Sequence, residues 1–255
     1  MERARICFVG AGNLATHLSL AFSEHADVVQ VYSRTEASAK MLADRLHCAY
    51  TTDIQALVND ADLYVCALKD SVLEEVLSQG DFKDKLVIHT AGSMPMSVFA
   101  AHAKRYGVIY PMQSFSKSKP VDFKKIPVFV EGSDAETLAY LHGLAEMVSD
   151  KVYDADTEVR GKLHIAAVFA SNFSNHMYAL AYELLKGSEL PFDVLLPLID
   201  ETAQKVHSLA PKAAQTGPAV RYDTNVINKH LGMLKGDDAL VEIYKLISKD
   251  IHERG

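Results

Sequence analysis

Through its first 154 residues the chain alternates short apolar runs with stretches of helical period. Arg5 to Val9, Val28 to Ser33, Leu63 to Leu68, Leu86 to Thr90, Val108 to Tyr110 and Val128 to Glu131 have the length and branched apolar content of strands. Lys151 to Tyr153 is expected as a further edge strand. Between them, Asn13 to Ser23, Glu36 to Leu46, Ser71 to Gln79, a segment near Pro95 to Tyr106, and Asp134 to Val148 repeat with helical spacing. Strands in alternation with helices predict a mostly parallel sheet built from right-handed crossovers. Runs without polar interruption, such as that ending Tyr64-Val65-Cys66-Ala67-Leu68, suit a sheet covered on both faces. After Asp154 no strand pattern appears, and Glu158 to Lys186, Phe192 to Ala210, Val220 to Leu234 and Asp237 to His252 read as helices. The expected class is α/β, with a doubly wound sheet over residues 1–154 and an all-helical domain over residues 155–255.

The first strand ends in Gly10-Ala11-Gly12-Asn13-Leu14-Ala15, and a helix opens there. This GxGxxA form, between strand and helix within a βαβ unit, is the fingerprint of a Rossmann dinucleotide site. Gly10 permits the tight turn, Gly12 admits a pyrophosphate close to the backbone, and Ala15 lets helix and strand pack closely. The free amides of Asn13, Leu14 and Ala15 face the phosphate with the positive end of the helix dipole. The second strand decides between dinucleotides. An NAD site places a carboxylate at its tip to accept from the ribose 2′-hydroxyl. Here the tip is Ser33-Arg34-Thr35, a guanidinium flanked by hydroxyls, which suits a 2′-phosphate. The expected cofactor is NADP(H); Glu36, two residues beyond Arg34, points either to solvent or to the ribose. S-adenosylmethionine, and with it a methyltransferase, fits this basic tip poorly.

Ligands of such sheets bind beyond the carboxyl ends of the strands. Three more loops leave those ends: Ala67 to Asp70, His89 to Ser93, and Tyr110 to Ser114. Leu68, Lys69 and Thr90 are expected near the cofactor and Ser93 near the substrate. His89 is either a hydrogen-bonded strand-end residue or a functional one. In the helical half, His164, Ala167, Val168, Ser171 and Asn175 fall on one stripe, with Asn172 on its shoulder. Polar groups in an apolar helix either bond within the core or line a cleft. Arg221, in the turn Thr216 to Asp223, could hold a substrate carboxylate or pair with Asp223.

Composition narrows the classes. A net charge of −7 and a basic stretch, Lys117 to Lys125, that reads as a solvated loop argue against nucleic acid. No apolar run has membrane-spanning length, and the start MERARICFVGAG lacks the apolar core of a signal peptide. Three cysteines without a CxxC, Cys7 and Cys66 inside strands, suit a reduced, cytoplasmic protein. The 11 histidines show no metal-ligand spacing, so no metal is expected.

VGAGNLA with YSR, then HTAGS and YPMQSF, then HIAAVFASNF and TGPAVRYD, occur in that order along the whole chain. Together they resemble the Rossmann-like NADP oxidoreductases that carry a DUF2520 C-terminal domain. The first half is also similar to pyrroline-5-carboxylate reductases and coenzyme-F420-dependent NADP reductases. The resemblance implies a Rossmann domain, a helical domain of the 6-phosphogluconate-dehydrogenase type and a homodimer formed through it; it names no substrate. The family usually has Ser where Ala91 stands, His where Tyr110 stands and Gly where Tyr222 stands. The lysine–asparagine pair of the β-hydroxyacid dehydrogenases is not reproduced, and His164 and Asn172 are the nearest candidates. The expected activity is NADP(H)-dependent hydride transfer to or from a small carbonyl, imine or hydroxy compound in an interdomain cleft. His164 would be the general acid or base, since imidazole titrates near neutrality. Ser171 and Asn172 would position the reacting group, and Ser93 and Arg221 the rest of the substrate. The alternative is a non-catalytic NADP(H)-binding sensor or partner-binding protein.

Overall fold

The computed structural model describes residues 3–254. Eight strands form one sheet: β1 (Arg5–Val9), β2 (Asp27–Tyr32), β3 (Ala49–Thr51), β4 (Leu63–Cys66), β5 (Leu86–His89), β6 (Arg105–Pro111), β7 (Val128–Gly132) and β8 (Val152–Asp154). Their order is β3-β2-β1-β4-β5-β6-β7-β8. Every pairing is parallel except β6 with β7. That exception follows from the connection, which crosses no face of the sheet with an α-helix and has only the short turn Phe123–Lys125.

Side chains alternate across the sheet. Ile6, Phe8, Leu63, Val65 and Ile88 point to one face, where α1 (Asn13–Ser23), α2 (Glu36–Leu46) and α4 (Ala135–Val148) add Leu18, Phe22, Leu42 and Leu144. Cys7, Val9, Tyr64 and Cys66 point to the other, covered by Leu73, Val76 and Leu77 of α3 (Asp70–Gln79) and by Phe99. Period two on both faces gives the doubly wound sandwich. Each fully buried Phe or Leu contributes roughly 1.5–3 kcal/mol.

The helix expected near Pro95 to Tyr106 does not form. Only the short turn Met96–Phe99 is helical, and from Arg105 the chain is already strand β6, which begins before the expected Val108. The strand β3 escaped the sequence pattern because three edge residues are too few to show a period.

The helical part comprises α5 (Thr157–Ala167), a π-turn (Val168–Phe173), α6 (Ser174–Leu185), α7 (Leu196–Lys205), α8 (Pro211–Ala214), α9 (Thr224–Met233) and α10 (Asp238–Arg254). The uninterrupted helix expected from Glu158 is therefore broken in phase at Val168. α9 starts later than Val220, because Tyr222 takes a left-handed φ of 49° and Asp223 caps the helix through the Val226 amide. The chain divides into two compact units between Met177 and Tyr178. The first unit runs past the last strand because a buried ion pair ties α5 to β7.

Candidate functional site

The turn after β1 behaves as its glycines demand. Gly10 has φ +127° and its amide donates to Tyr32 O at 2.8 Å, closing the turn on β2. A Cβ on Gly10 would strike the carbonyl of Ala67. A Cβ on Gly12 would meet nothing within 4 Å, so no packing inside the protein requires that glycine. The space above it is instead a cavity of about 380 Å³, bounded by Gly10, Gly12, Asn13, Ser33, Arg34 and Lys69, among others. No side chain caps α1 and its first turn holds no acid, so the amides and dipole stay available to an anion. Arg34 and Lys69 have no carboxylate partner among the described residues, and no Asp or Glu lines the cavity. An open cradle over a glycine with unpaired cations at its rim fits a phosphorylated dinucleotide. Glu36 does not line the cavity; it accepts a hydrogen bond from the Tyr50 hydroxyl at 3.1 Å.

Of the expected cofactor residues, Leu68 also lines this cavity. Ala15 is fully buried, as close packing of helix and strand requires. Thr35 is exposed at the start of α2 and lies outside the lining, and Thr90 is buried. The Asn13 side chain is committed elsewhere, its Nδ2 donating to Phe115 O at 2.9 Å. Ser38 and Lys117 line the cavity without having been singled out for it by the sequence.

Leu14, one residue beyond Asn13, faces a second cavity of about 510 Å³. Its other walls are Tyr110 to Ser114, at the end of β6 and just beyond it, and Leu163, His164, Ala167, Val168, Ser171 and Asn172 of α5 and the π-turn. No lysine, arginine, aspartate or glutamate lines it. The expected polar stripe is thus gathered, with one change: Asn172 is in the wall and Asn175 is not. A π-turn adds a residue to one turn and rotates the helix beyond it. A sequence count at constant pitch cannot see that.

His164 is half-buried, and its Nδ1 lies 3.3 Å from the Tyr110 hydroxyl, with the rings edge to face. Burial raises the Tyr110 pKa, so the phenol keeps its proton and can donate to Nδ1 or accept from it according to the tautomer of the ring. Gly92 is required here by proximity: a Cβ on it would stand 2.6 Å from His164 Nδ1 and 2.8 Å from Tyr110 Cζ. The sequence marked Tyr110 only as the start of a loop at the strand ends and as a departure from the family, and it did not single out Gly92; HTAGS and YPMQSF were visible, but not that they meet.

One turn before His164 in α5, Arg160 is buried, paired with Glu131 at 2.9 Å and donating to Met94 O at 2.8 Å. Thr157 donates to Glu131 through both amide and hydroxyl. His89 is buried and stacks on Phe99, and its Nδ1 accepts from the Ala91 amide at 3.2 Å. Burial, reinforced by the Arg160 charge, lowers its pKa to about 4. It is the hydrogen-bonded strand-end residue, not a member of the cavity wall. Ser93 also lies outside the lining, its hydroxyl bonded to Asp70. Arg221 is exposed in the turn before α9 and belongs to the other compact unit; Asp223 serves as helix cap.

Residues 126–251 match the model of the domain of unknown function DUF2520, and residues 5–92 that of the coenzyme-F420-dependent NADP oxidoreductases. A Bacteroides fragilis protein of known structure, named as a candidate NADP oxidoreductase, shares 54% identity over 99% of both chains, with a TM-score of 0.92. A reductive aminase from Aspergillus terreus, solved with NADPH and ethyl levulinate, is 16% identical over 99% of this chain and 95% of its own, with a TM-score of 0.73. A 1-pyrroline-5-carboxylate reductase from Streptococcus pyogenes is 14% identical over 98% of each chain, with a TM-score of 0.61. The last two likenesses speak for the fold. No curated protein matches by sequence.

Proposed function

The chain belongs to the family of NADP oxidoreductases that carry a DUF2520 domain, and from that premise we propose that it transfers hydride between NADP(H) and a small uncharged carbonyl, imine or hydroxy compound. One observation carries this reading. Consecutive residues at the start of α1 border two cavities of opposite character: Asn13 a cationic one, Leu14 a neutral one that contains His164.

Bound NADPH supplies a hydride equivalent to an electrophilic carbon. The protein must then hold the substrate, exclude charge competitors and move one proton to the oxygen or nitrogen that gains the electron pair. His164 is assigned that proton. Tyr110 engages Nδ1 and so leaves Nε2 to the reacting group; Nε2 can give the proton up and take it back only while Nδ1 keeps its own hydrogen, which the phenol oxygen accepts in both states. In the oxidative direction His164 takes the proton back. Ser171 and Asn172 position the heteroatom from the π-turn. Ser93 keeps a part only if its bond to Asp70 opens, and Arg221, which belongs to the other compact unit, is proposed for the rest of the substrate. An uncharged wall favours substrates without a carboxylate, because a buried unpaired charge is costly.

Residues 1–154 are assigned to cofactor binding and residues 155–255 to substrate binding and dimerisation. The dimer rests on missing burial. Among the described residues from Tyr178 onward only Ala219, Ile227 and Ser248 are buried, whereas Leu198, Met233 and Leu246 are 64%, 76% and 69% exposed. A second copy covering these helices would supply the core they lack. No helix among the described residues is long and apolar enough to cross a membrane. Three unpaired thiols suit a cytoplasmic setting.

The test monitors NADPH oxidation against a panel of neutral ketones and cyclic imines. His164→Ala should lower turnover at least ~100-fold while NADPH affinity stays within about twofold. A fully active variant removes His164 from the mechanism. Tight NADPH binding without turnover on any compound would overturn the catalytic reading and leave a cofactor-binding protein.

A further inference from the structure

The sequence reads Lys117 to Lys125 as one solvated basic loop, and the structure divides it. Lys124 and Lys125 pair with Asp150 at 3.6 Å and Asp122 at 2.8 Å. Lys117 is exposed, has no carboxylate partner among the described residues, and lines the cavity of Gly12 and Arg34. With Arg34 and Lys69 it makes three unpaired cations around one cavity, in a chain whose net charge is −7. Like charges gathered without counterions raise the local potential, and that arrangement favours an anion.

The position of Lys117 is built. The Phe115 ring stacks between His17 of α1, at 5.5 Å, and Phe123, at 6.1 Å. Asn13 Nδ2 donates to Phe115 O at 2.9 Å, and His17 Nε2 donates to Ser116 O at 2.8 Å. The Lys119 amide closes the turn on Ser116 O at 3.1 Å, with Lys117 in it. The helix that opens at the glycine turn therefore also carries the strap that bears Lys117. Lys117 further borders a groove shared with His17 and Ala21 of α1 and Arg45 of α2. It thus borders both helices in that groove, while the cavity over Gly12 brings it together with Arg34, which precedes α2, and Ser38 in its first turn.

We infer that Lys117 is a second cation of the 2′-phosphate site, acting with Arg34 to set the preference for NADP(H) over NAD(H). Arg34 offers a planar fork at the end of β2, and Lys117 offers a point charge to the same cavity from the strap that follows β6. The inference rests on the NADP(H) reading above.

Calorimetric titration of the full chain with NADPH and with NADH tests it, using Arg34→Ala as the control. Lys117→Ala should weaken NADPH about tenfold and leave NADH within about twofold, and Lys117→Arg should restore most of the loss. Equal weakening of both dinucleotides, or unchanged NADPH affinity, overturns the inference. If the unmodified chain binds NADPH no better than NADH, or Arg34→Ala changes nothing, the cofactor reading fails first and this inference goes with it. The unmodified chain and the arginine variant report that failure without reference to Lys117.

Discussion

The two cavities that share the start of α1 are made of different materials. One is rimmed by Arg34, Lys69 and Lys117 over an open glycine, and its central parts come from neighbouring residues at strand ends. The other is uncharged, and its parts come from β6, the glycine turn and a helix 50 residues farther on. A phosphate site works by charge and free backbone amides, so a few local residues suffice. A reaction site works by orientation, so it depends on distant segments meeting within a few tenths of an ångström. Damage to the support of the neutral cavity should therefore leave dinucleotide affinity untouched, whereas damage to the cationic cavity removes the hydride donor and stops turnover as well.

The largest effect tests that support. Arg160→Met leaves the largely covered Glu131 without its cation and frees the turn at Met94. Such a variant should lose about 3–5 kcal/mol in denaturant unfolding. The fraction that stays folded should bind NADPH normally; a parallel loss of affinity would break the separation of the two cavities. Next comes His89, whose pKa of about 4 in the folded chain lies below the ordinary value of 6.5. The unfolded chain takes up that proton first as pH falls. The stability it contributes is therefore complete above pH 6.5 and is lost between 6.5 and 4, by roughly 3 kcal/mol. His89→Asn, which keeps an acceptor for the Ala91 amide, should flatten the unfolding profile in that window. An unchanged slope would mean that another group carries it. The smallest change is Gly92→Ala, one methyl pushed against His164 and Tyr110. Overpacking of this kind costs roughly 1–3 kcal/mol. It should appear mainly as lost turnover, with NADPH affinity intact, and equal losses in both would argue that the cavities are not independent.

The same contrast governs what the sequence reveals. Gly10, Gly12, Arg34 and Lys69 could be read directly, because a strand, a turn and a helix start encode their neighbourhood within a few residues. His164, Ser171 and Asn172 could be found only as a polar stripe. Their convergence with Tyr110 depends on β6 lying beside α5, and no local pattern states that. Ser93 and Thr90 sat in the right loop, but the hydroxyl of Ser93 is bonded to Asp70 and Thr90 is buried. Lys117 looked like its basic neighbours, since nothing local distinguishes a lysine tethered by Phe115 stacking from one facing water. Among the elements, α1 and α2 have the boundaries the pattern predicts, while the helix near Pro95 gave way to a strand that finds its partners in β5 and β7. Pairing across the sheet outweighed local preference there.

The π-turn at Val168–Phe173 carries a consequence for descent as well as for shape. A widened turn amounts to one residue more than a regular helix of the same span would hold. Losing that residue would improve the hydrogen bonding of the segment and turn Ser171 and Asn172 away from the cavity wall. A sturdier helix and this wall thus make opposite demands on the segment, and a descendant that lost the residue would gain the first and lose the second.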